Sequence, residues 1–72
     1  MHSEITETFA KLLAKGVLAI RADAYFQFRR QTGESYETAI ETAAEYLHVS
    51  RSVAVRRVND AKAIYAFLEA NG

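Results

Sequence analysis

Basic and amide side chains are concentrated in the second half of the chain, between His48 and Lys62. This stretch contains four basic residues and a single acid, Asp60. Arginine can donate two hydrogen bonds to guanine, asparagine can bond to adenine in a similar way, and any cation can bind a phosphate. If the stretch is helical, the residues available for such contacts are Arg51, Ser52, Val55, Arg56, Arg57, Asn59 and Lys62. These are the side-chain types of a surface that contacts DNA.

Helical spacing assigns different roles to these residues. The apolar seam of the helix would consist of Ala54, Val58, Ala61, Tyr65 and Leu68. Ser52, Arg56 and Asn59 lie on the opposite face, where they can reach base edges in a major groove. Val55 flanks that face and can contact a thymine methyl group. The residues expected to contact phosphates are Arg29, Arg30, Arg51, Arg57 and Lys62.

The sequence offers little support for catalysis or metal binding. His2 and His48 are not spaced as ligands of one metal ion, and the chain has no cysteine. Glu37, Glu41 and Glu45 recur every four residues and form a solvated helical stripe, which is a stronger interpretation than a catalytic one. No glycine-rich phosphate-binding loop is present. We therefore expect a protein that is not an enzyme and needs no metal, cofactor or small-molecule substrate.

Composition indicates one small folded domain, residues 1–72. Hydrophobic residues make up 50% of the chain, and nine basic residues balance nine acidic ones. A chain of this length buries only a modest core and commonly gains stability by self-association when it lacks disulfides, so we expect a homodimer. The first residues do not have the pattern of a signal peptide, and no apolar run is long enough to span a membrane. We therefore expect a cytoplasmic protein without membrane contacts.

Glycines and apolar periodicity divide the chain into four predicted helices. Gly16 and Gly33 each follow an apolar periodic segment, as glycine commonly does after a helix. The expected helices cover about residues 4–15, 17–31, 36–47 and 51–70, and Ser35 and Ser50 cap the last two. A strand over Val17–Ile20 is an alternative. The first helix would face the core with Ile5, Phe9, Leu12 and Leu13. The predicted fold is all-α, a compact bundle of four helices in which the second is the most buried.

The third and fourth predicted helices, about residues 36–62, have the features of a helix-turn-helix. Ala44 is a small residue where the two helices would cross, Val49 would fill the space between them, and Ser50 would cap the second helix. The pattern resembles the helix-turn-helix family of DNA-binding regulators, especially the small regulators of phages and mobile elements. The family usually has glycine in the turn where this chain has His48, so the resemblance implies a left-handed backbone at His48. This resemblance implies sequence-specific binding to double-stranded DNA and a role in transcription regulation.

The fourth predicted helix is longer than a recognition helix needs to be, and its second half carries several large apolar residues. The residues expected in a two-fold dimer interface are Ile64, Tyr65, Phe67 and Leu68. Phe67 lies near the edge of the apolar seam, where it either packs on the first helix or contacts a second copy.

Three other interpretations stay open. Arg51, Arg56 and Arg57 can simply solvate a helix, with part of their charge paired to Glu41 and Glu45. The chain can instead be a small phage or mobile-element protein that inhibits a host protein complex, of the anti-defence or anti-CRISPR type, because its acidic stripe can mimic a nucleic-acid backbone. It can also be a structural oligomerisation module that uses the same C-terminal seam.

Overall fold

Three α-helices joined by two short turns make up the part of the chain that the structure describes. In this computed structural model the backbone is described for residues 2–71, and the side chains for residues 7 and 10–71. The helices are α1 (His2–Gln31), α2 (Tyr36–Leu47) and α3 (Arg51–Asn71). Within the described residues, no helix has the length and apolar character needed to cross a membrane. Because every element among these residues is an α-helix, the predicted all-α class is confirmed.

The number of helices differs from the prediction, which placed a break at Gly16. α1 passes through Gly16 without interruption and has 30 residues, so the predicted bundle of four helices is wrong. The alternative strand at Val17–Ile20 is helical as well. A glycine inside a helix costs about 1 kcal/mol relative to alanine. At this point α1 lies beside α3, and Ile64 Cδ1 is 3.8 Å from the position that a Cβ at Gly16 would occupy, an ordinary van der Waals distance.

The inner face of α1 is built mainly from small residues. Ala19, Ala22 and Phe26 are buried, and they recur three to four residues apart. Asp23 on the same face is only 6% exposed, and its Oδ1 accepts a hydrogen bond of 3.4 Å from Gln27 Nε2. Because alanine has almost no side chain, this face allows neighbouring helices to approach α1 closely.

The large apolar residues of α1 are distributed differently from the prediction. Those that α1 exposes are Leu12, Leu13, Val17, Leu18, Ile20 and Phe28. The expectation that Leu12 and Leu13 face the core is therefore wrong, as is the expectation that residues 17–31 form the most buried element. The side chains of Ile5 and Phe9, expected on the same stripe, lie outside the described residues.

α2 packs over the C-terminal part of α1 and the beginning of α3. The central cluster of buried side chains consists of Phe26, Ala39, Ile40, Ala43 and Val58. Two aromatic pairs join α1 to α2. Tyr25 stacks on Tyr46 with ring centroids 4.1 Å apart, and Phe26 meets the edge of Tyr36 at 5.4 Å. These contacts place the core at one end of the molecule.

α1 and α3 run antiparallel. Gly16 meets Ile64 in the second half of α3, whereas Phe26 shares the core with Val58 in its first half. The molecule measures 48 × 29 × 15 Å, and its radius of gyration is 14.0 Å, against about 11 Å for a compact domain of the same length. The N-terminal half of α1 and the C-terminal half of α3 therefore extend beyond α2 as a two-helix arm.

Serine caps begin both α2 and α3, as the sequence predicts. The hydroxyl of Ser35 accepts a hydrogen bond of 3.3 Å from the backbone N–H of Thr38. The hydroxyl of Ser50 accepts one of 3.2 Å from the backbone N–H of Val53. Each cap satisfies a backbone donor that has no partner within its own helix. The two caps fix where the helices begin and thus which side chains of α3 come first after the turn.

His48 has the left-handed backbone expected in the turn, with φ 56° and ψ 44°. This conformation costs a residue other than glycine about 1–2 kcal/mol. We expect His48→Gly to raise the free energy of unfolding by about 0.5–1 kcal/mol, because glycine removes the strain but loses more entropy on folding. Urea denaturation measures the change. Gly33, at φ 97°, is the matched control, since Gly33→Ala makes the opposite exchange and should destabilise the fold. A less stable His48→Gly variant would contradict the expectation.

Candidate nucleic-acid interface

α2 and α3 are joined by a turn of three residues, His48, Val49 and Ser50. Ala44, predicted as the small residue at the crossing, is buried, and its carbonyl accepts a hydrogen bond of 3.0 Å from the backbone N–H of Val49. The Val49 side chain is half-buried rather than fully enclosed between the helices. The local arrangement is thus a short helix, a tight left-handed turn and a longer capped helix.

The first half of α3 has one buried face and one exposed face. Ala54, Val58 and Ala61 are fully buried, so the first three positions of the predicted seam are confirmed. The predicted base-contacting residues Ser52, Arg56 and Asn59 are exposed on the other side of the helix. They recur at intervals of four and three residues and therefore form one continuous strip along α3.

Val55 is less accessible than the sequence suggests. Its side chain is half-buried and packs against the central core cluster. Part of its surface is therefore committed to the fold, which leaves little of it for a thymine methyl group. Periodicity places Val55 beside the exposed strip, but it cannot show that α2 and α1 reach far enough around α3 to cover the residue.

Arg51 forms an ion pair across the turn with Glu37 at the start of α2. The Arg51 guanidinium donates a hydrogen bond to the Glu37 carboxylate, and this bond and the carboxylate charge raise the pKa of Arg51. Glu41 and Glu45 were the acids that the sequence offered as partners of the arginines, and the structure pairs Arg51 with Glu37 instead. Both side chains are exposed, so water and salt screen the pair and a phosphate can replace the carboxylate.

The other predicted phosphate-binding residues divide into two groups. Lys62 is exposed on α3, and Arg57 on the same helix is half-buried. Arg29 and Arg30, at the end of α1, are bound to their own loop. Arg29 donates to the carboxylate of Glu34, and this hydrogen bond raises the pKa of Arg29. Arg30 Nη1 donates to the Glu34 carbonyl at 2.9 Å. The geometry therefore gives Arg29 and Arg30 a role in closing the loop between α1 and α2.

The predicted dimer residues lie in the two-helix arm, where they border a groove between α1 and α3. Ile64, Phe67 and Leu68 line it, whereas Tyr65 is exposed beside it. The large apolar residues of α1 that line the opposite wall are Leu12, Leu13, Val17 and Ile20. This wall was not predicted from the sequence. The signal was present, because Leu13, Val17 and Ile20 recur at intervals of four and three residues and form a second apolar stripe on α1.

The acidic stripe lies on the outer face of α2. Glu37, Glu41 and Glu45 are all exposed, and Glu37 is the one that pairs with Arg51. Among the described residues, no group of three histidine, cysteine or acidic side chains is placed to hold a metal ion. The charged features of this end of the molecule are thus an acidic face on α2 and the exposed cations of α3, Arg51, Arg56 and Lys62.

No protein-family model, curated protein or solved structure matches the chain. The resemblance to helix-turn-helix regulators therefore stays a prediction from the residues of the turn and of α3.

Proposed function

We propose that this protein binds double-stranded DNA through α3, with α2, the turn and α3 acting as a helix-turn-helix, and that it regulates transcription. The observation that carries the proposal is the exposed strip formed by Ser52, Arg56 and Asn59 directly after the capped turn. These side chains can bond to base edges, and a helix exposed on one face fits a major groove about 12 Å wide.

Charge is distributed in the way that this function needs, although the whole chain is neutral. The basic residues of α3 lie in the stretch of the helix that would enter or border the major groove of DNA. Arg51 is at the amino end of this helix. The helix dipole is positive at that end, so a phosphate there is attracted both by the dipole and by the guanidinium. Asp60, the acid in this stretch, lines the apolar groove of the two-helix arm.

Selection from a random-sequence DNA pool at low and moderate salt tests the proposal. If the protein recognises bases in the major groove, the selected DNA is enriched in one sequence motif, and the affinity falls as the salt concentration rises. We expect Arg56→Ala to lower the affinity for the selected motif by about 1–3 kcal/mol and to relax the preference at one base position. Fluorescence anisotropy with the selected duplex and with single-base variants of it measures both effects.

Lys62 has a different expected signature because it would contact a phosphate. Lys62→Ala should weaken binding to all sequences alike and reduce the slope of log affinity against log salt by about one unit. Lys11→Ala is the matched control, since Lys11 is also an exposed lysine but lies in the N-terminal half of α1 and not on α3. If the chain does not bind DNA even at about 50 mM salt, where weak phosphate contacts still register, the DNA proposal is wrong.

A second candidate function, inhibition of a host protein complex by nucleic-acid mimicry, is supported by the exposed acidic stripe on α2. A cationic protein surface would bind Glu41 and Glu45 most directly, because both are exposed and neither forms an ion pair with another described residue. Glu41→Lys with Glu45→Lys separates the two functions. If the protein binds DNA, the double variant should bind DNA as well as or better than the original chain. If the protein inhibits a basic partner, the double variant should no longer bind that partner.

A further inference from the structure

The chain exposes more surface than a folded monomer of its mass normally does. Its accessible surface is 5377 Å², whereas the usual relation between mass and surface gives about 4,500 Å² for 8.1 kDa. The excess of about 900 Å² is close to the ~800 Å² that each partner buries in a protein interface of standard size. From this excess, and from the large apolar side chains exposed along the groove between α1 and α3, we infer that a second copy of the chain closes this groove about a two-fold axis.

The groove has the composition of an interface centre. Its volume is about 850 Å³, and the large apolar side chains that line it are 40–65% exposed: Leu12, Leu13, Val17, Ile20, Phe67 and Leu68. A contiguous apolar patch of this kind on a small protein marks a site of association. The groove is open along two antiparallel helices, so a small molecule would stay in contact with water, whereas another helix pair would cover it.

The charged residues at the groove make it complementary to itself. Lys15 on α1 and Asp60 on α3 both line it, and both are exposed. They do not pair with each other among the described residues. A two-fold interface brings the same patch together from both sides, so Lys15 of one copy can meet Asp60 of the other, and the pair forms twice. This balance of one cation and one anion favours a second copy over a strongly charged partner.

The position of the groove leaves the exposed strip of α3 free. At 3.6 residues per turn, the groove-lining residues of α3 are centred about 80° around the helix from Ser52, Arg56 and Asn59. If two antiparallel α3 helices cross near Ile64–Phe67, the two copies of Asn59 lie about 20 Å apart and those of Ser52 about 40 Å apart. These distances bracket the ~34 Å between successive major grooves on one side of DNA. This step alone rests on the proposed DNA binding.

Sedimentation equilibrium of the full chain between low micromolar and millimolar concentration tests the inference. We expect a dimer that Phe67→Asp and Leu13→Asp convert to a monomer without loss of helical circular dichroism, because both side chains are exposed in the single chain. Phe28→Asp is the matched control, since Phe28 is exposed on α1 and does not line the groove. A chain that is monomeric at 1 mM overturns the proposal.

Charge exchange tests the two-fold pairing itself. Lys15→Glu and Asp60→Lys should each weaken the dimer by about 2- to 30-fold, since each places two like-charged pairs in the interface. The double variant should recover the original dissociation constant. Lys11→Glu makes the same change of charge on a lysine that does not line the groove and should have no effect. Failure of the double variant to recover overturns the pairing. Loss of self-association with DNA binding retained would overturn the dimer and leave the DNA proposal intact.

Discussion

Phe26→Ala should remove a large share of the free energy that keeps the protein folded. The Phe26 side chain is 3% exposed, lies in the central core cluster and contacts the edge of Tyr36 on α2. Removing a buried phenyl ring costs about 3–5 kcal/mol, because the lost transfer free energy is joined by the cost of the cavity. A chain of 72 residues has a total stability of about 4–11 kcal/mol. The alanines around Phe26 have no flexible side chains that could fill the space.

The matched control is Phe28→Ala, because it removes the same ring from the same helix two residues away. Phe28 is 56% exposed and makes a tilted contact with Tyr25 at 6.5 Å between ring centroids. We expect its replacement to change the free energy of unfolding by less than about 1 kcal/mol. Urea denaturation followed by circular dichroism at several protein concentrations measures both variants and separates folding from self-association. Equal losses in the two variants would show that α1 presents a different face to the core.

The region around the turn could be predicted well from the sequence because its signals are local. Ser35 and Ser50 cap their helices in both the prediction and the structure, and α2 covers the expected residues 36–47. The left-handed backbone at His48 was predicted from the resemblance to the helix-turn-helix turn, where the family usually has glycine. Each of these features depends on hydrogen bonds or torsion angles within a few residues, which are visible in the order of side chains along the chain.

The break at Gly16 was predicted wrongly because the same residue can end a helix or continue one. Local propensity favours an end by only about 1 kcal/mol. The structure continues α1 through Gly16, where Ile64 Cδ1 of α3 lies 3.8 Å from the position that an added Cβ would occupy. This approach of α1 to α3 involves residues 48 positions apart, so the sequence near Gly16 does not indicate it. One wrong break was enough to change the predicted number of helices.

The candidate sites show a similar division. The exposed strip of Ser52, Arg56 and Asn59 could be predicted because the opposite seam is strictly periodic. The α1 wall of the groove was missed because α1 has two apolar stripes, one small and one large. Periodicity finds both but does not show which one faces the core. In the structure the stripe of Ala19 and Ala22 is buried, since small residues let α3 approach, and the larger stripe stays outside.

If both proposals hold, Phe67→Asp should lower affinity for DNA that carries two half-sites by about 10²–10⁴-fold. A dimer bound at one half-site holds its second recognition helix at a high effective concentration near the other, whereas a monomer binds each half-site independently. On a duplex with one half-site the affinity should change by less than about tenfold, because Phe67 lies about 16 Å along α3 from Arg56 at 1.5 Å per residue. The ratio between the two duplexes is the quantity to measure.

Phe28→Asp provides the matched control for this experiment. It adds the same charge at another exposed phenylalanine, outside the groove. It should leave the ratio between the two duplexes unchanged. Fluorescence anisotropy titrations of the original chain and of both variants, at one fixed salt concentration, give the three ratios. If Phe67→Asp weakens binding equally on both duplexes, the second half of α3 contacts DNA itself and does not act by joining two copies. If neither duplex is sensitive to Phe67→Asp, α3 binds DNA as a single copy, and the groove has no part in recognition.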